Sequence, residues 1–286
     1  MSHKFAKLAI DNVFIPYEDK SYTSFHDQLP PDIYKLEIKE SIFGRMPYFK
    51  VIKQDEKLVR FKNGVVKHII NTADNFFNPD TIDKYKTLDV PHKMGLILYG
   101  PPGTGKTCTA TLIMKELVEK YDAICLNYTG VTLYNLKSAI NTIRLSQKNP
   151  IVIFYDEIDA AFNAQELDYL TFLDGESQFN NLIVLGCTNK IGNIPDRIIN
   201  RKSRIKHCIE ITSFPIAVYE DYVKKKMPLL DNEIVAKIAF KAEEACLTID
   251  QLKHVLIDFY VDGTEIEPAI ENVKKTIKVD EEDHRL

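Results

Sequence analysis

The sequence lacks the features that mark several large classes of protein. None of its apolar runs approaches the ~18 residues that a membrane-spanning helix needs. The N-terminus, MSHKFAKLAIDNVF, has no apolar segment followed by a small-residue cleavage site, so it predicts no secretory signal. Internal repeats and low-complexity segments are also missing. We therefore expect a globular protein without membrane insertion.

Cysteine is scarce and scattered. The five cysteines form no CxxC pair, which argues against a zinc site and against a disulfide framework. Free cysteines of this kind are usually buried packing residues in a reducing compartment. The pattern predicts that all five pack in the interior and that the protein is cytoplasmic; they are Cys108, Cys125, Cys187, Cys208 and Cys246.

The net charge is small, so it does not predict binding to a polyanion or to a membrane surface. The 37 Lys and Arg residues nearly balance the 41 Asp and Glu residues, giving a net charge of −4. With 286 residues, 45% of them hydrophobic, the chain is long enough for about two domains of ~100–200 residues.

The first 72 residues differ from the rest and are predicted to form a separate N-terminal region. Residues 1–40 are polar and interrupted by prolines, so we expect irregular structure there. In residues 41–72, three short runs favour β-strands, YFKVIK, KLVRFK and VVKHII, and Asn63–Gly64 indicates a hairpin. The latter stretch is basic, through Arg45, Lys50, Lys53, Lys57, Arg60, Lys62 and Lys67.

From residue 73 onward the pattern changes twice. Residues 73–212 alternate buried strands such as GLILYG and IVIFYDE with helices such as KTCTATLIMKELVEKY. That alternation predicts an α/β domain whose parallel sheet is sandwiched by helices. Residues 213–286 then read as a small all-helical domain.

A phosphate-binding loop is the strongest motif. GPPGTGKT, residues 100–107, fits GxxxxGK[ST] and lies between a predicted strand and a predicted helix. Glycines allow backbone N–H groups to close around phosphates, and the helix N-terminus adds positive potential. We predict that ATP is the cofactor and that it is bound by Pro102, Gly103, Thr104, Gly105, Lys106, Thr107 and Cys108.

Two carboxylates follow the apolar strand IVIFY. Asp156 and Glu157 stand at its C-terminal end, where open α/β sheets bind ligands. We predict that Mg²⁺ is held by the Thr107 hydroxyl and, through water, by Asp156. Glu157 is predicted to act as the general base that polarises the attacking water.

Taken in order, GPPGTGKT, IVIFYDEIDAAF, VLGCTN and PDRIINRKSR resemble the AAA branch of the AAA+ ATPases over about residues 75–260. The resemblance implies an AAA+ fold with a helical lid, and a hexameric homo-oligomer. It places Asn189 at the position that orients water near the γ-phosphate. It also implies that Arg201 and Arg204 reach the γ-phosphate held by a neighbouring subunit. The stretch LTID, residues 247–250, resembles the lid region that packs on the nucleotide.

One sub-branch is more similar still. VPHKMGLILYGPPG and DEIDAAF resemble the mitochondrial AAA translocases that move a folded Rieske protein, although this sequence lacks their membrane helix. The segment YTGVTLYNLKSAI leaves little room for an aromatic pore loop. Tyr134 is the one candidate there, and we expect it to be a partly buried helix residue instead.

Two functions remain open at this stage. The first is ATP-driven remodelling or translocation of a protein substrate. The alternative is a nucleic-acid-associated motor or loader, in which the basic strands contact phosphates and Tyr48, Phe49 and Phe61 stack on bases. The same basic segment also fits a solvated sheet edge. A scaffold that never hydrolyses ATP is disfavoured by Glu157 and the two arginines.

Overall fold

The computed structural model describes residues 4–8, 13–17, 25–41, 44–52, 64–128, 131–164, 166–174, 179–212 and 214–273. It forms two compact units. The first contains the N-terminal strands together with His68–Tyr99 and Thr107–Ile209. The second contains Gly100–Lys106 and the chain from Glu210 onward.

The first unit is built on one sheet. Its strands are β1 (Lys4–Leu8), β2 (Val13–Tyr17), β3 (Phe25–His26), β4 (Ile33–Ser41), β5 (Gly44–Val51), β6 (Lys93–Tyr99), β7 (Ile124–Asn127), β8 (Ile151–Tyr155), β9 (Leu182–Thr188) and β10 (His207–Glu210). In the described residues their order is β10-β6-β9-β8-β7-β4-β5-β2-β1-β3.

The central strands are parallel and buried on both faces. Strands β6, β9, β8 and β7 pair in parallel, and all residues of β8 and β9 are buried. Helices separate these strands along the chain: α1 (Gly64–Phe76), α2 (Pro79–Thr87), α3 (Lys106–Tyr121), α4 (Leu133–Ser146), α5 (Ile158–Ala164), α6 (Glu166–Asp174) and α7 (Asp196–Ile199). The predicted parallel sheet flanked by helices is confirmed, because strands covered on both faces need continuous apolar sequence.

The N-terminal region departs from the prediction. Residues 1–40 include strands rather than irregular chain, and β4 pairs in parallel with β7 and antiparallel with β5. The run VVKHII lies in helix α1, so the predicted strand and the hairpin at Gly64 are wrong. The β-propensity of this run gave the wrong prediction, because a helix here buries Ile69, Ala73 and Phe76 in the core and that packing outweighs propensity. KLVRFK lies outside the described residues, as do most of the residues of the predicted basic patch beyond Ile52.

The second unit is largely helical beyond its phosphate loop. Its helices are α8 (Ile216–Lys226), α9 (Asn232–Glu244) and α10 (Ile249–Tyr260), followed by a helical stretch at residues 266–273. Thr248 caps α10 through a capping box with Gln251, which satisfies the free N–H groups of the first turn. The C-terminal helical part is confirmed, whereas the predicted boundaries at residues 72 and 212 stay predictions.

The cysteines divide into two groups. Cys125 and Cys187 are buried as expected, and Cys108 is half-buried. Cys208 and Cys246 are exposed, so the prediction that all five are packing residues is wrong for these two. Separately, no helix within the described ranges is long and apolar enough to cross a lipid bilayer.

Candidate functional site

Three glycines shape the phosphate loop in the second unit. Gly100, Gly103 and Gly105 have φ angles of 147°, 78° and 83°, which L-residues rarely adopt. A Cβ at Gly103 would stand 2.7 Å from the hydroxyl of Thr248, the cap of α10. One at Gly100 would stand 2.1 Å from the Ile211 carbonyl oxygen. The loop therefore needs glycine both for its backbone angles and for its contact with the start of α10, where LTID was predicted to pack near the nucleotide.

Within that loop, Lys106 is held by backbone carbonyls. Its ammonium donates to the Gly100 oxygen (2.9 Å) and the Pro101 oxygen (2.6 Å), and the residue is buried. Thr104 is also buried and donates its hydroxyl proton to the Pro101 oxygen (3.0 Å). A lysine fixed inside its own loop is poised to exchange carbonyl partners for phosphate oxygens.

In the first unit, Thr107 and Asp156 form an oxygen-donor pair. The Thr107 hydroxyl lies 3.3 Å and 3.2 Å from the two carboxylate oxygens of Asp156. Asp156 directly follows β8, and Thr107 lies in the first turn of α3. The structure thus brings together the two residues that the sequence predicted as metal ligands.

Glu157 is held in an unusual backbone conformation. Its φ of 55° is left-handed, which a non-glycine residue adopts at a free-energy cost and which recurs at functional sites. Its side chain is exposed. The next residue, Ile158, packs on Gly186 of β9, where a Cβ would stand 2.4 Å from Ile158 Cδ1. Gly186 therefore fixes how closely this turn approaches the neighbouring strand.

The end of β9 is tied to the same turn. Thr188 donates its hydroxyl proton to Asp159 Oδ1 (2.7 Å) and accepts from the Lys190 N–H (3.0 Å). Asn189, the predicted water-orienting residue, lies between these two positions and is exposed. The sequence analysis missed the roles of Gly186, Thr188 and Asp159, although Asp159 ends the DEID motif and Thr188 precedes Asn189.

A cluster of buried tyrosines supports the carboxylates. Tyr155, the last residue of β8, packs against Tyr128 and Tyr169, with ring centroids 4.7 Å and 5.7 Å away. Burial raises the pKa of the Tyr155 phenol well above its usual value. This phenol stays protonated at neutral pH, and its ring belongs to the hydrophobic core.

The two predicted arginines differ in how much of each side chain is exposed to solvent. The side chain of Arg204 is only 5% exposed. Its Nε donates to Asp174 Oδ1 (2.6 Å), and its Nη2 donates to Asp174 Oδ2. Its Nη1 donates to the carbonyl oxygen of Arg197. Arg204 hydrogen bonding lowers the pKa of Asp174. Arg201 is 64% exposed and lies 3.9 Å from the same carboxylate. Of the two, Arg201 has the accessible guanidinium.

The donors fit ATP with Mg²⁺. Positive-φ glycines leave room beside backbone N–H groups, and Lys106 supplies the cation that outer phosphates require. The hydroxyl and carboxylate of Thr107 and Asp156 are the hard oxygen ligands that Mg²⁺ prefers. Pro102 and Gly103 are exposed along the loop, and Cys108 lies two residues into α3.

Two aromatic predictions are overturned. Tyr134 in α4 is 80% exposed, so the expectation of a partly buried residue is wrong. Phe49 is fully buried, with its ring edge-on to Tyr34 at 6.3 Å, so it cannot stack on a base. Phe61 lies outside the described residues. Successive side chains of β5 point to opposite faces of the sheet, so Phe49 is buried while Lys50 is exposed.

Comparison with known proteins agrees with this geometry. Residues 96–213 match the family described as ATPase family associated with various cellular activities (AAA). A proteasome-associated ATPase of Parafrankia sp. is 30% identical over 191 residues, covering 52% of this chain and 31% of the relative. An AAA ATPase forming ring-shaped complexes from Corynebacterium kroppenstedtii is 27% identical over 202 residues (59% and 35%). The vesicular-fusion protein SEC18 of Candida albicans is 31% identical over 151 residues (44% and 19%).

These matches show that residues 96–213 are similar to an AAA ATPase domain and that the chain has homologues among AAA ATPases. The description of the matched family, and the names of two of the three relatives, contain the word ATPase and support ATP hydrolysis as the reaction of the domain. The chain spans about a third or less of the length of these relatives. None of the three names mentions nucleic acid.

Proposed function

We propose that this chain is a ring-forming ATPase that couples ATP hydrolysis to remodelling or translocation of a protein substrate. The observation that carries the proposal is the Asp156–Glu157 turn. One carboxylate adjoins the Thr107 hydroxyl, and the next residue is held at a left-handed φ of 55°. That pairing supplies a metal ligand and a separate base within two residues.

Each residue then has a distinct task. Lys106 would neutralise charge on the outer phosphates, while Thr107 and Asp156 would hold Mg²⁺, which would supply electrophilic stabilisation of the phosphoryl group under attack. Glu157 accepts the proton of the attacking water, and Asn189 orients that water.

The ring is supported by the exposed guanidinium of Arg201. An arginine that stabilises charge on the transferring phosphoryl group has to be accessible, and Arg204 is committed to Asp174. We propose that Arg201 acts on the nucleotide of the next subunit and that Arg204 positions the segment. A head-to-tail contact of this kind generates a ring or an open helix, and the family resemblance implies a ring of six subunits.

A protein is the proposed substrate. The relatives include a proteasome-associated ATPase and a vesicular-fusion protein, and exposed Tyr134 is available to contact a polypeptide. The finer resemblance to translocases of a folded Rieske protein rests on VPHKMGLILYGPPG and DEIDAAF.

The free cysteines support the cytoplasm as the location.

The nucleotide step can be tested directly. Lys106→Ala removes the cation that faces the outer phosphates, so we expect ATP binding to fall below detection in a fluorescent-nucleotide titration. Lys115→Ala, a change of the same charge further along α3, should bind as the wild type does. Normal binding by Lys106→Ala would contradict the assignment of the loop.

The ring can be tested by mixing inactive proteins. Arg201→Ala and Lys106→Ala should each be inactive alone and regain hydrolysis together, because some interfaces then pair an intact loop with an intact arginine. A trans arginine contributes roughly 10³-fold or more, so partial rescue exceeds background. Lys202→Ala, an exposed neighbour, should stay active alone. A monomer, verified by mass at the assay concentration, that hydrolyses ATP at the full rate would refute the proposal.

A further inference from the structure

A cavity of about 590 Å³ lies in the first unit, away from the residues assigned to nucleotide chemistry. Its volume falls within the range of small-molecule sites. Among the described residues it is lined by Lys137, Asn141, Arg144, Lys148, Phe179, Asn180 and Asn181. Three of these are cations, and none of those seven is an acid. A cavity with this lining repels cations and attracts anions.

Arg144 is the fixed centre of this cavity. Its Nη1 donates to the Asn149 oxygen (2.6 Å), and its Nη2 donates to the Asn180 oxygen (2.7 Å) and lies 3.2 Å from the Asn181 oxygen. These bonds account for at most three of the five N–H groups of a guanidinium. Burial lowers the pKa of Arg144 to about 10, and no carboxylate of the described residues opposes the shift. Within that part of the chain, the groups that hold the guanidinium are neutral carbonyls.

The surrounding side chains are also held in place. Asn180 Oδ1 accepts from the His92 N–H (2.8 Å), and Asn181 Oδ1 lies 2.8 Å from His92 Nδ1. His92 itself is stacked on Phe76, with ring centroids 3.8 Å apart. The Lys137 ammonium lies 6.0 Å from the centre of the Phe172 ring. The floor of the cavity is thus preorganised, which reduces the entropy lost when a ligand binds.

A simpler account is that these cations only complement the C-terminus of α4, whose dipole favours positive charge. That account explains Arg144 in the last turn. It does not explain Lys137, which lies in the first half of the helix, or the open cavity that both residues line. Lys137, Asn141 and Arg144 are spaced by 4 and 3 residues, which places them along one side of α4, and Lys148 follows two residues after the helix ends at Ser146.

We propose that this cavity binds a small molecule bearing two or more phosphate groups. Arg144 lies seven residues after Lys137 in α4, or roughly 10 Å along the helix at 1.5 Å per residue, and Lys148 lies beyond the helix end, so the three cations are spread along the cavity and are not gathered around one phosphate. Several phosphates on one compact body satisfy Arg144 and both lysines together. Phe179 and the asparagine amides provide an apolar wall and neutral hydrogen-bonding groups for that body. The cavity adjoins the amino ends of β8 and β9, so it is separate from the carboxylates that follow those strands.

The test uses inositol hexakisphosphate, titrated calorimetrically into the full chain in EDTA. We expect a dissociation constant of roughly 10–100 µM. Lys137→Ala/Lys148→Ala should weaken binding at least about tenfold and flatten its salt dependence, because two charge-assisted contacts are lost. The matched control is Lys224→Ala/Lys253→Ala, which removes two exposed lysines that do not line the cavity.

Two further arms distinguish other sources of binding. Lys106→Ala should bind the probe as the wild type does, since the phosphate loop is not involved. Inorganic phosphate should bind at least about tenfold more weakly than the probe, because it cannot span the cations. Absence of binding by the wild type, equal loss in the control pair, or loss in Lys106→Ala would overturn the proposal. So would binding of a single-stranded DNA oligonucleotide that depends on Lys137 and Lys148 when the probe does not bind.

Discussion

The two ends of strands β8 and β9 carry opposite chemistry. At their carboxyl ends lie Asp156, Glu157 and Asn189, all exposed. At their amino ends lies the cavity around Arg144, whose lining includes three cations. Strand β8 has five residues, so its ends are roughly 17 Å apart at 3.3 Å per residue. The same pair of strands therefore presents acids at one edge and cations at the other.

The comparison shows how a parallel sheet separates tasks. The parallel strands β6, β9, β8 and β7 point the same way, so the turns that follow them fall at one edge and the loops that precede them at the other. Buried residues such as Ile153 and Val184 fill the space between. Changes at the carboxyl edge should alter hydrolysis, and changes at the amino edge should alter anion binding or stability.

The largest effect expected at the carboxyl edge follows Glu157→Gln. Loss of the base should lower the hydrolysis rate roughly 10²–10⁴-fold with near-normal ATP binding. Asp168→Asn, an exposed change of the same charge, serves as the control. Steady-state hydrolysis and nucleotide titration measure the two quantities. Retention of more than about a tenth of the activity would remove Glu157 as the base.

Gly186→Ala should act on the same edge from within β9. The added Cβ would stand 2.4 Å from Ile158 Cδ1 and 2.9 Å from Ile158 Cβ, so the turn that carries Glu157 has to shift. We expect kcat to fall by about tenfold, since small misplacements of catalytic groups are costly. Gly192→Ala is the matched control, because nothing lies within 4 Å of its added Cβ. An unchanged kcat in Gly186→Ala would show that Ile158 does not position the base.

Arg204→Met should affect stability more than Arg201→Ala. Removing the buried guanidinium leaves Asp174 without its main partner, at a cost of about 1–2 kcal/mol because that carboxylate is 38% exposed. Arg201→Ala should leave the denaturant midpoint unchanged while reducing hydrolysis. Chemical denaturation monitored by circular dichroism compares the two. Equal midpoints for both variants would contradict the positioning role of Arg204.

The smallest effect concerns Lys93, the first residue of β6. Burial lowers its pKa to about 8, with Asp174 opposing the shift and Arg204 adding to it. Between pH 8 and 10 the unfolded chain holds more protons, so the free energy of unfolding should rise with pH relative to Lys93→Met. We expect a change of about 1 kcal/mol, discounted for partial solvation. Denaturation of both proteins at pH 7, 8, 9 and 10 measures it, and parallel curves would rule it out.

Prediction from sequence succeeded where the spacing of residues in a short motif determines the local structure. GPPGTGKT between a strand and a helix located Lys106, and the bounds of α3 match the predicted KTCTATLIMKELVEKY. Prediction failed at VVKHII, whose β-branched residues favour strands although they form a helix in the fold. Propensity is a weak preference of a fraction of a kcal/mol per residue, and packing overrides it.

The sequence by itself determined the nucleotide motif, the strand-ending carboxylates and the parallel sheet, because those features depend on residue type and short-range spacing. Only the tertiary structure decided that Arg204 is buried against Asp174 while Arg201 remains exposed. The arginines are three residues apart and chemically identical, so which one is desolvated depends on contacts with a distant helix. The same holds for the cavity, since Arg144 meets Asn180 and Asn181 only when α4 packs beside the start of β9.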